Sequence, residues 1–84
     1  MTHYVYILLC GDGTYYTGYT NKLINRYIQH CCGKGAKYTK GRGPLDLVYY
    51  EMFSTKSKAM KREYAIKQLT KKQKYRLING LDKI

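Results

Sequence analysis

Two phenols, an arginine, a histidine and a lone acid stand at spacings that could serve one reaction. Tyr6 and Tyr16 lie in tyrosine-rich segments either side of Gly11-Asp12-Gly13, Arg26 and His30 fall four apart, and Glu63 follows in a lysine-rich stretch. Such a set contains the parts for cutting a phosphodiester with one divalent ion. The guanidinium fork can hold a phosphate oxygen and steady the extra charge of a pentavalent transition state. An imidazole can move a proton or position a water. A phenol ionises near pH about 10, so acting as a base at neutral pH needs nearby positive charge, which Arg26 and a metal could supply.

Each residue also has a plainer reading. Eleven tyrosines in 84 residues must mostly be strand formers and core fillers. Arg26 reads equally as a surface arginine along a helix, and His30 as a packing residue. Glu63 lies at helical spacing from Ala59, Met60 and Ile66, among positions that face a core. An acid there needs a positive partner. Mg²⁺ bound by one carboxylate, water and phosphate oxygens fits, and so does a pair with Lys67 worth about 0.3–0.5 kcal/mol. Glu51, on an alternating strand, reads as a solvent-side or rim charge.

The elements that must position these groups are legible. Residues 3–10 form a strand apolar on both faces, which suits a central position. A three-residue loop with Gly13 left-handed sets Cys10 opposite Thr14, Leu8 opposite Tyr16 and Tyr6 opposite Gly18, so both phenols share a face. A two-residue loop would send them to opposite faces. Asn21 is the expected cap of a helix over 22–32, with Leu23, Ile24, Tyr27, Ile28 and Cys31 as its apolar stripe and Arg26 and His30 along its border. Gly33 ends that helix.

A basic, glycine-rich loop fills 33–44, then a strand runs from Leu45 to Phe53. Ser54 or Thr55 caps a helix to about Leu69, and Thr70 with Gln73 makes a capping box for a last helix ending near Gly80. The order β-β-α-β-α-α predicts one α+β domain over residues 1–84, an antiparallel three-stranded sheet with flanking helices.

Composition narrows the partners. Sixteen Lys and Arg against five Asp and Glu give a formal charge of +11, which points to a polyanion, nucleic acid ahead of a membrane surface. In the loop, Lys37, Lys40 and Arg42 could neutralise phosphates while Tyr38 stacks on a base, or the loop could simply be solvated. No apolar run approaches the roughly 20 residues of a membrane span. Cys10, Cys31 and Cys32 are no disulfide framework, and a reducing, cytoplasm-like compartment is expected, with nucleoid association left open. His30-Cys31-Cys32 lacks the spacing of a zinc site, and the 33–43 stretch lacks the Gly-Lys-Ser/Thr of a P-loop.

Nearly the whole chain resembles the GIY-YIG nuclease superfamily, especially its small single-domain members. Tyr4-Val5-Tyr6 stands where that family has Gly-Ile-Tyr, and Tyr16-Thr17-Gly18 where it has Tyr-Ile-Gly; Arg26, His30 and Glu63 follow in family order. The resemblance implies an endonuclease that cuts DNA, with RNA left open, in repair or recombination. It implies that Tyr6 or Tyr16 activates water, Arg26 steadies the phosphate, His30 assists proton movement and Glu63 holds one Mg²⁺ or Mn²⁺. Asn79 is the one late polar side chain that could stand near such a site. Lacking an appended recognition domain, the chain would draw specificity from its own surface, a protein partner or DNA structure. The rival reading is a basic nucleic-acid-binding module, or an accessory subunit, that keeps the fold without cutting.

Overall fold

In the computed structural model, which describes residues 1–81, strand β1 (His3–Leu9) is flanked on both sides by antiparallel neighbours. The sheet order is β2 (Tyr15–Thr20), β1, β3 (Asp46–Phe53). The helices are α1 (Leu23–Cys31), α2 (Lys56–Lys67) and α3 (Lys71–Ile78), giving the expected β-β-α-β-α-α order. No described helix is long and apolar enough to cross a membrane.

The hairpin takes the three-residue form. Gly13 has φ 84°, which a side chain would strain. Cys10 N–H donates to the Thr14 carbonyl at 2.8 Å, Leu8 pairs with Tyr16, and Tyr6 with Gly18. Val5 to Leu8 are all buried, so the central strand has two covered faces. On one face Val5 and Ile7 pack with Ala59 and Ile66 of α2, and Leu77 and Ile78 of α3 close over them. On the other, Tyr6, Leu8, Cys10 and Leu45 meet Tyr16 and the α1 residues Leu23 and Tyr27. Burying any one of these large aliphatic side chains is worth about 1.5–3 kcal/mol.

Three expectations are corrected. Lys22, not Asn21, precedes α1, and no side chain caps it. The Thr20 hydroxyl accepts from Lys22 N–H at 3.1 Å, and the Asn21 amide turns to the Met1 sulfur. The apolar stripe is misplaced as well: Ile24 and Ile28 are 60% and 53% exposed, and Cys31 and Cys32 also face solvent. The inward face of α1 is Leu23, Arg26, Tyr27 and His30, because the tyrosine-lined sheet offers polar partners that make a buried imidazole affordable. Finally, Glu51 is no rim charge. It accepts from Arg62 Nε and Nη2, both at 2.9 Å at closest, and from the Tyr49 hydroxyl, tying β3 to α2. Burial raises its pKa, but the Arg62 and Tyr49 hydrogen bonds and the Arg62 charge outweigh this and hold the carboxyl below its usual range.

One buried group has no partner. Thr17 Oγ1, on β2 opposite Ile7, is sealed without a hydrogen bond among the described residues. Thr17→Val removes that uncompensated hydroxyl at nearly constant volume, and should stabilise the domain by about 1 kcal/mol. A thermal melt reads this as a rise of roughly 4–8 °C; a lower midpoint would contradict it.

Candidate active site

The shared face of β1 and β2 brings the two phenols within reach of each other, with ring centroids 6.3 Å apart. Gly18 makes this possible. A Cβ there would stand 2.5 Å from the Tyr6 hydroxyl and 3.0 Å from the Tyr16 ring, so Tyr6 lies across a strand position that must carry no side chain.

Helix α1 delivers the imidazole. Gly33 (φ 76°) ends the helix, donating to His30 O at 3.0 Å while Lys34 N–H reaches Gln29 O at 2.8 Å. That close fixes the last turn and points His30 inward, where it is 1% exposed. Its Nε2 meets the Tyr6 hydroxyl at 2.7 Å and its Nδ1 meets Thr39 Oγ1 at 2.9 Å. The Thr39 hydroxyl donates onward to the Ala36 carbonyl at 3.0 Å. With the Thr39 proton on the Ala36 carbonyl, the tautomer that fits has Nδ1–H donating to Thr39 and Nε2 accepting from the phenol. The Ala36 amide also approaches Nδ1, but at 3.4 Å it is the weakest contact and does not decide the tautomer. A buried line of hydrogen bonds therefore runs Tyr6, His30, Thr39, Ala36 carbonyl.

Electrostatics fit that direction. Burial, then the Arg26 charge, pushes the His30 pKa below its ordinary value, so the ring is neutral at pH 7. Burial drives the Tyr6 phenol up to about 12. Hydrogen bonding to Arg26 and the Arg26 charge pull it down, and the Tyr16 and Glu63 charges push it up. Arg26 therefore acts in the expected direction, but without a metal's charge its pull is smaller than the cost of desolvation, and the phenol stays protonated at neutral pH. A depressed imidazole pKa means that the neutral ring is full above about 6.5, the ordinary value, and is lost as pH falls towards the folded-state value. Any activity using His30 as acceptor should be constant above that pH and decline below it. A rate that instead rises on acidification would rule His30 out as a base.

Arg26 is near enough for its charge to act on the same phenol, and its Nη1 donates to Gln29 Oε1 at 3.1 Å. It also lines an open cleft of about 490 Å³ between the end of β2, α1 and the start of α2. Glu63, on α2, is near enough for its charge to act on Tyr6. Its side chain is 14% exposed and pairs with Lys67 at 3.5 Å, so the plain ion-pair reading is realised as well. Met60 is exposed, and the inward face of α2 is Ala59, Arg62, Glu63 and Ile66 instead.

A resident ion would find a thin donor set. Among the described residues no three His, Cys, Asp or Glu gather. One mostly buried carboxylate facing a basic site suits Mg²⁺ or Mn²⁺, which keep most of their shell as water and substrate oxygens. It does not suit zinc, which wants several N or S ligands.

The basic loop is more tethered than its composition suggests. Arg42 pairs with Asp12, donates from Nε to the Tyr38 carbonyl at 2.7 Å, and lies 4.3 Å over the Tyr38 ring. Tyr38 in turn stacks on Tyr16, at 5.8 Å. Lys37 and Lys40 are exposed. Asn79 caps the end of α3, its side-chain amide donating to Tyr75 O at 2.8 Å.

Residue types and spacing gave no sign of Thr39 or Gly35. A Cβ on Gly35 would come within 2.2 Å of His30 Nδ1, so the loop must pass the imidazole without a side chain there. Gly18 carried a signal, the third position of its motif, but its steric role needed the fold.

Residues 2–76 match the family described as the GIY-YIG catalytic domain. A UPF0213 protein of Staphylococcus saprophyticus is 54% identical over 77 residues, covering 92% of this chain and 94% of that protein. A UPF0213 protein of Halobacterium salinarum is 56% identical over 72 residues, covering 86% and 94%. The solution NMR structure of a UPF0213 protein from Bacillus halodurans superposes with a TM-score of 0.61 at 51% identity, covering 94% of this chain and 84% of that one. With the motif tyrosines, Arg26, His30 and Glu63 all inside the matched span, this chain belongs to the GIY-YIG catalytic-domain family.

Proposed function

We propose that the chain is a divalent-metal-dependent endonuclease hydrolysing DNA phosphodiester bonds. The observation that carries this reading is the 2.7 Å bond from the Tyr6 phenol to a neutral, buried His30, formed where Arg26 and Glu63 also act on the phenol. Tyr6 takes a proton from the attacking water as its own passes to His30 Nε2, and the ester P–O bond breaks as the new one forms, its alkoxide taking a proton from solvent. That concerted transfer avoids a free phenolate, which a pKa of about 12 forbids at neutral pH. Thr39 holds the imidazole in the accepting tautomer. Arg26 presents its fork to the phosphate oxygens, where charge grows as the bond forms. Tyr16, packed 5.2 Å from the imidazole, walls the site and orients the ring. Glu63 would hold the Mg²⁺ or Mn²⁺, which supplies Lewis-acid charge against the phosphate when bound.

Exposed Lys37 and Lys40, beside Tyr38, add phosphate contacts. Flexible, branched or single-stranded DNA, rather than a particular duplex sequence, is the substrate in this reading. A role in repair or recombination within the cytoplasm or on the nucleoid follows from that preference. The test is a panel of single-stranded, duplex, flap and junction DNA with Mg²⁺ or Mn²⁺. Cutting that stops in chelator supports the reading; binding without cutting under every condition replaces it with the non-catalytic binding module.

A further inference from the structure

We infer that the cleft beside Arg26 is the seat of the nucleic-acid strand flanking the cut, held through Lys22 and Lys56. This assignment rests on the nuclease reading and says where its substrate runs. Eight residues line the cleft: three cations (Lys22, Arg26, Lys56), three amides (Asn21, Asn25, Gln29), Thr20 and Tyr19. None is acidic. Elsewhere the described carboxylates of Asp12, Glu51 and Glu63 are each paired, with Arg42, Arg62 and Lys67. Among the described residues Lys22 and Lys56 form no ion pair, and both are exposed.

The cleft is continuous with the chemistry through one side chain. Arg26 lies beside the Tyr6 phenol, on which its charge acts, and gives Nη1 to Gln29 in the cleft wall. A strand whose scissile phosphate meets Arg26 must continue past it, and this opening offers cations at phosphate-binding positions. Tyr19 is braced for contact, its hydroxyl 2.7 Å from His3 Nδ1 and its ring stacked on the His3 ring, with Lys56 Nζ 5.9 Å from its centre. A positively charged groove with an aromatic wall and side-chain amides is the chemistry of a nucleotide chain. The 33–44 loop offers less. Its one arginine is spent on Asp12, and its tyrosine is engaged by Tyr16 and Arg42.

The experiment measures binding of a short fluorescent DNA, single-stranded and duplex, to Glu63→Gln protein in chelator across a salt series. Reading affinity rather than cutting separates this claim from the nuclease reading. Lys22→Gln with Lys56→Gln should weaken binding at least tenfold and flatten the log–log salt slope by about 1.4–1.8, the release expected for two lost phosphate contacts. Lys37→Gln with Lys40→Gln should do less on both counts. Thermal melts show whether these exposed substitutions leave the fold intact. An unchanged slope in the cleft pair, or a larger loss in the loop pair, overturns the assignment while leaving hydrolysis untouched. If the cleft pair weakens binding as stated but the parent protein cuts nothing, the cleft stands and the nuclease reading falls.

Discussion

Tyr6→Phe should lower single-turnover DNA cleavage at least about a hundredfold, the scale of a lost transition-state contact. The ring stays and only the hydroxyl that meets His30 at 2.7 Å is lost. If phenol and imidazole act as one relay, His30→Ala should cost a similar factor. The double substitution should then be little worse than either single one, because a broken chain cannot be broken twice. Multiplying losses would mean that the two groups act separately, and a nearly normal Tyr6→Phe rate would remove the phenol from the reaction. Each variant's melt must accompany its rate. Tyr6→Phe orphans the buried Nε2, which carries a stability cost of about 1–3 kcal/mol without any bearing on chemistry.

Arg26→Ala should also reduce cleavage at least about a hundredfold. Arg26→Lys should restore only part of this, since an ammonium supplies charge without the planar fork that grips two oxygens at once. The same loss would release the hydrogen-bonding and charge effects that draw the Tyr6 phenol down from its burial-raised value, so the relay suffers along with the phosphate contact. Full activity in the lysine variant would show that Arg26 contributes charge alone; full activity in the alanine variant would place the transition-state charge elsewhere.

The sheet was legible because its signals are local and agree. Gly13 forced a left-handed turn, the turn set the register, and the register put Tyr6 opposite Gly18 and both phenols on one face. The Thr70–Gln73 capping box was equally plain, with both reciprocal bonds formed. Helix α1 was misread for a physical reason. A stripe count assigns Ile24 and Ile28 to the core because they are apolar, but the sheet surface awaiting the helix is lined with tyrosine hydroxyls. The Tyr6 hydroxyl, with Thr39, satisfies a histidine, and the helix turns its polar residues inward. Glu51 shows the same blindness, since its partner Arg62 lies eleven residues away on another element. Thr39 and Gly35 were hidden in a glycine-rich loop whose composition suggests solvent, and only the closed fold reveals that it presses on the imidazole.

The central claim is that Glu63, placed by α2, serves the same centre as the relay and the guanidinium. Its most direct test is the Mn²⁺ dependence of single-turnover cleavage by the unaltered chain and by Glu63→Gln. The account predicts a saturable metal requirement in the first, and in the second a loss of at least about a hundredfold that added Mn²⁺ does not repair. Cleavage by Glu63→Gln with an unchanged metal response would contradict it, leaving the acid as no more than the partner of Lys67.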